Sequence, residues 1–117
     1  MESLEMELID WEQFEGIVDF SDSECVEIYE EFAEELPVHL AALRTACAAS
    51  DSSQAAELAH RLRGSCLTFG LVEVSEILRQ LETDGKAGND LSPELWEQRL
   101  PLAAEGSLKS ISLRKNG

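Results

Sequence analysis

Apolar residues return every three or four positions along most of this chain, and alternation at every second position is hardly seen. That period belongs to helices with one buried face. A short first helix is predicted at "DWEQFEGI", where Asp10 can cap the start and Gln13 stands at the capping-box position. Trp11, Phe14 and Ile17 give it an apolar side, and "DFSDS" follows as a linker. The second helix carries the longest stripe, through Cys25, Ile28, Tyr29, Phe32, Leu36, Leu40, Leu43 and Cys47. Ser21 and Glu24 make its candidate capping box. Pro37 lies inside the stripe, which keeps its phase across it, so a bend is expected rather than a break.

"ASDSSQ" interrupts the pattern and offers a new start, with Asp51 and Gln54 as the cap pair. The third helix runs to about Phe69 and Gly70 ends it. Leu71, Val74, Ile77, Leu78 and Leu81 mark a fourth, and "TDGKAGND" reads as a loop with two glycines. Ser92 and Pro93 open a last helix, with Leu95, Trp96, Leu100 and Ala103 facing inward. Pro101 and Gly106 disturb its course, and residues 106–117 either continue it or form a loosely docked tail. The fold expected is all-α: an antiparallel four-helix bundle with a short N-terminal capping helix, one domain over residues 1–117.

The composition narrows the function. Nine basic residues face 24 acidic ones, a net charge of -15, which argues against binding nucleic acid or an anionic membrane. The opening "MESLEMELID" is acidic and has no apolar block, so it does not read as a signal peptide, and no apolar run is long enough to span a bilayer. A cytoplasmic protein is expected. Cys25, Cys47 and Cys66 are widely spaced and fall on apolar stripes, as buried reduced thiols would.

One residue breaks the pattern. On a wheel of about 100° per residue, the third helix's stripe comprises Ala55, Leu58, Ala59, Leu62, Cys66 and Phe69. His60 points about 155° away from the centre of that stripe. Gly64 and Leu67 share its exposed strip, and Arg61 and Arg63 flank it. A glycine inside a helix costs about 1 kcal/mol relative to alanine. Here it clears the space one turn from an outward imidazole, which suits the approach of another protein's surface.

An exposed neutral imidazole is a nucleophile at physiological pH. Ser–His–Asp catalysis has no support, since "GSC" is no nucleophile elbow and a convex helix offers no pocket. No metal site is expected: Glu57 is near His60 in sequence, but two ligands do not close a site. The other histidine, His39, lies near the stripe of the second helix and reads as a partly buried packing residue. Phosphoryl transfer fits better, with Arg63, and less directly Arg61, offsetting the added charge.

"AHRLRGSCLTFG", Ala59 to Gly70, resembles the signature of the histidine-containing phosphotransfer (HPt) domain family. His60 stands at the phosphoacceptor position, followed by Leu62, Arg63, Gly64 and Ser65 where the family has leucine, lysine, glycine and serine. "FAEELPVHLAALRTACAASDSSQAAELAH" and "EILRQLE" resemble the flanking helices, so the likeness covers about Trp11 to Glu82. Arg63 departs from the usual lysine, and Phe69 and Leu71 are larger than the family's common residues there. The resemblance implies a relay of phosphoryl groups between His60 and receiver-domain aspartates, in a response regulator or hybrid sensor kinase. It implies no cofactor of this chain's own, with Mg2+ held by the receiver, and no kinase activity. It implies docking over Gly64, Leu67 and Arg61, and support of the imidazole from the following helix by Glu82 or Arg79. A monomer is expected. The alternative is a bundle that binds a receiver or another signalling protein without carrying phosphate.

Overall fold

The computed structural model describes residues 8–116. The first seven residues of the acidic N-terminal stretch, and Gly117, lie outside the described residues. Helices follow one another as α1 (Trp11–Ile17), α2 (Ser23–Ala48), α3 (Ser52–Thr68) and α4 (Val72–Ala87). A π-helical stretch, Glu94–Arg99, then leads directly into α5 (Leu100–Asn116). No strand occurs among the described residues. The chain is a helical bundle.

The starts of α1, α2 and α3 carry side-chain caps, whereas α4 and the π-helical stretch have none. Asp10 accepts a hydrogen bond from the Gln13 N–H at 3.2 Å, and Asp51 accepts one from the Gln54 N–H at 3.2 Å. These satisfy backbone donors that the first turn leaves free. The cap of α2 is Asp22 rather than Ser21: its carboxylate accepts from the Glu24 N–H at 2.9 Å, while Ser21 bonds to Asp19 instead. The helix runs through Pro37 to Ala48.

The α3–α4 pair is the most extensive contact in the structure. The two helices are joined through Phe69, Gly70 and Leu71, and they run antiparallel. Gly70 has φ +74, and a Cβ on it would lie 2.6 Å from the Asp10 carbonyl oxygen. Only glycine fits there, and the Asp10 N–H donates to the Gly70 carbonyl at 2.8 Å. α1 is thereby held across that end of the bundle. Phe14 packs edge-on to Tyr29, Tyr29 packs edge-on to Phe69, and Phe69 stacks on Phe32. Val74, Leu78 and Leu81 of α4 and Leu43 of α2 are wholly buried between the helices.

Two predicted boundaries move. α4 does not stop before "TDGKAG"; it continues to Ala87, and Gly88 ends it in the left-handed conformation at φ 75. Gly85 sits inside the helix because α3 comes so close: a Cβ there would lie 2.7 Å from the Ser52 carbonyl and 2.9 Å from Ala56 Cβ. The start of the last helix widens into π geometry, in which the Leu100 N–H donates to the Leu95 carbonyl five residues back. Pro101 comes at once after it. It has no N–H and its ring crowds the carbonyl four residues earlier, which the wider turn relieves. α5 stays helical through Asn116 with Ser107 and Ile111 fully buried. The Arg114 guanidinium lies 4.1 Å over the Trp11 ring and pairs with Glu15, tying the end of α5 to α1.

Candidate functional site

The inner face of α3 is made of small residues where it meets α4. Ala55, Ala56 and Ala59 are buried, and the Gly85 backbone presses against the Ser52–Ala56 turn. The close approach lets an α4 side chain reach around to the outer face of α3. Glu82 does so: its Oε2 lies 2.8 Å from His60 Nδ1. The His60 side chain remains 60% exposed while that of Glu82 is only 7% exposed.

Three side chains surround the Glu82 carboxylate. Lys86, one turn further along α4, forms an ion pair with Oε2 at 2.8 Å. His60 Nδ1 shares that oxygen. Arg63 Nη2 stands 3.2 Å from Oε1 but off the hydrogen-bonding line, so Oε1 is buried with no hydrogen bond of its own. The hydrogen bond from Lys86 is the main reason that the Glu82 carboxyl lies below the usual carboxylate range; burial opposes it and His60 adds to it. A carboxylate can only accept, so the neutral His60 ring carries its proton on Nδ1 and keeps its lone pair on Nε2. The second nitrogen of an oriented histidine is commonly set this way.

The outer strip is open around the ring. Nothing lies within 4 Å of a Cβ placed on Gly64. Gly64 therefore relieves no crowding inside this chain. Leu67 is 47% exposed. Arg61 borders a small groove of about 240 Å³ together with His39, Leu58 and Ser65. An open depression of about 630 Å³ lies on the other side of His60, floored by Ala56 and Gly85 and edged by Ser52, Glu57 and Lys86.

The two residues proposed beside the imidazole separate. Glu82 touches it, whereas Arg79 is exposed and pairs with Glu76. His39 is not a packing residue: its side chain is 56% exposed, and its nearest charged partner is Glu35 at 3.9 Å. Lys86 was missed because a loop reading of "TDGKAG" hides it; on a continuing helix, its spacing of four from Glu82 is the signal. Cys47 and Cys66 are buried free thiols, and Cys25 is partly buried. Among the described residues, no group of three or more His, Cys, Asp or Glu side chains is placed to hold a metal.

A model of the Hpt domain family matches residues 27–109. The chain belongs to the Hpt domain family. An Hpt domain is a phosphotransfer module of two-component signalling, and such domains interact with receiver domains. This Hpt domain is similar to part of the sensor histidine kinase AruS of Pseudomonas aeruginosa, 39% identical over 87 residues. The match covers 72% of this chain and spans 8% of the length of that relative. No solved structure matches. Among the described residues, no helix of this Hpt domain is long and apolar enough to cross a membrane.

Proposed function

We propose that this Hpt domain takes a phosphoryl group from a receiver-domain aspartyl phosphate onto Nε2 of His60 and passes it to another receiver aspartate. The observation that carries the reading is the tie between His60 Nδ1 and Glu82 at 2.8 Å on an otherwise exposed ring. It orients the imidazole and leaves the Nε2 lone pair directed away from the protein.

In the forward step the Nε2 lone pair forms a bond to phosphorus. The bond between phosphorus and the aspartyl oxygen breaks, and its electron pair stays on the receiver's carboxylate. The ring keeps its Nδ1 proton and becomes cationic, and Glu82 offsets that charge. Arg63 has guanidinium donors beyond the one facing Glu82 and supplies positive charge next to the transferred group. Arg61 adds charge at the rim. The receiver docks over Leu67 and the space above Gly64, and contributes the aspartate and its Mg2+. Positioning and electrostatics supply most of the catalysis in such transfers. The Hpt domain works in the cytoplasm as a monomer and has no kinase activity of its own.

The test is a time course with labelled receiver domains. Wild-type protein should acquire an acid-labile, base-stable phosphate, and His60→Gln should acquire none while keeping its helical signal. A folded wild-type protein that takes no label from any receiver would overturn the relay and favour a module that only binds.

A further inference from the structure

Glu82 serves two states of His60 that make opposite demands. After transfer the ring is cationic, and a full negative charge beside Nδ1 helps. Before transfer the same charge favours the imidazolium, whose Nε2 is protonated and cannot attack. A lone carboxylate at this distance would withhold the nucleophile as well as orient it.

Lys86 stands where it can moderate that conflict. Its Nζ pairs with Oε2, the same oxygen that faces His60 Nδ1, at the same 2.8 Å. Its position has a structural cause. Gly85 lets the last turn of α4 lie against Ser52 and Ala56, where any side chain would push it away. Gly88 then ends the helix in a left-handed turn just after Lys86. The charged groups around the ring are Glu82 and Lys86 from α4 and Arg63 and Glu57 from α3. His39 of α2 lies in the groove beside Arg61 instead.

We infer that Lys86 is a positioning residue for phosphoryl transfer: acting through Glu82, it offsets part of the carboxylate's charge and so weakens the pull of that charge toward the imidazolium, in favour of the ring with a free Nε2. It touches neither the phosphoryl group nor the attacking nitrogen. The inference rests on His60 being the acceptor.

The experiment compares wild type, Lys86→Met, Lys86→Arg and Glu82→Gln. The His60 ring is titrated by NMR without a partner, and phosphotransfer from a labelled receiver is measured from pH 6 to 9. Lys86→Met should raise the ring's titration midpoint by about half a pH unit, since a nearby positive charge is lost. Its transfer rate should fall roughly two- to threefold near pH 6.5 and rejoin wild type at pH 8.5. Lys86→Arg should behave as wild type, and Glu82→Gln should lower the midpoint. A Lys86→Met midpoint equal to or below wild type overturns the inference, as does a loss of rate that is uniform with pH. The NMR arm needs no phosphate, so a wild-type protein that fails to take label counts against the relay alone.

Discussion

The two ends of the α3–α4 pair use the same device for different ends. At the turn, Gly70 admits the Asp10 backbone, and aromatic rings fill the space around it. At the far end, Gly85 admits the first turn of α3, and the space around it carries His60, Arg63, Glu82 and Lys86. Close backbone approach strengthens the fold at one end. At the other it brings a carboxylate from one helix to the outer face of its neighbour. The contrast separates residues that hold the protein together from residues that act.

The sharpest break between the two ends is His60→Gln. Labelling should vanish, and the melting temperature should move by no more than about 2 °C, because the ring is exposed. Phe14→Ala should do the reverse. Truncating a buried phenylalanine costs about 3 to 5 kcal/mol, seen as a lower urea midpoint. Transfer per folded molecule should stay within about twofold of wild type. A Phe14→Ala protein with lost transfer but intact stability would erase the distinction.

Gly64→Ala tests the open strip from the other side. Helix propensity should stabilise the protein by up to about 1 kcal/mol, since no atom of this chain stands in the way. Transfer should nonetheless slow about tenfold if a receiver needs that space. An unchanged rate would remove Gly64 from the docking surface.

The smallest effects lie in pH. The Glu82 carboxyl is held low, chiefly by Lys86, so its contribution to stability is present above the ordinary value of 4.5 and is lost as pH falls below it. The partners are exposed, so the contribution should be at most about 1 kcal/mol. The stability difference between wild type and Glu82→Gln should shrink as urea melts are taken from pH 6 to pH 3. The core has the opposite sign. Burial raises Tyr29 and Cys66 to about 12 and Cys47 to about 11. Their contribution is complete below the unfolded values of 9.0 for cysteine and 10.0 for tyrosine, and is lost as pH rises toward 12. Urea midpoints should therefore fall above pH 9, and less steeply in Tyr29→Phe.

Local signals in the sequence located most of the helices. Period and caps placed α1 and α3 with Asp10 and Asp51 as their caps, and the wheel put His60 outside the stripe. What could not be read locally depends on neighbours. Glycine in "TDGKAG" disfavours a helix by itself, and only its packing against Ser52 and Ala56 offsets that cost. The same misjudged turn hid Lys86. His39 lies at the margin of its stripe, where burial depends on whether α3 covers it, and the groove beside Arg61 stays open. The resemblance offers Glu82, with Arg79 as the second choice, beside the imidazole; the direction in which each side chain leaves α4 separates them. The π geometry at Glu94–Arg99 has no period of its own, and Pro101 was its only sign.

That π-helical stretch also sets the phase of α5. Its wider closure accommodates one residue more than an α-helical turn, so the buried face before it and the buried face after it are out of step. Removing one residue there would rotate Ser107 and Ile111 by about 100° and turn them out of the core. The length of the stretch is thus inherited information in the same sense as a side chain is. A chimaera that joined this protein's first four helices to a last helix lacking the extra residue would keep every apolar side chain and still present the wrong side of that helix to the bundle.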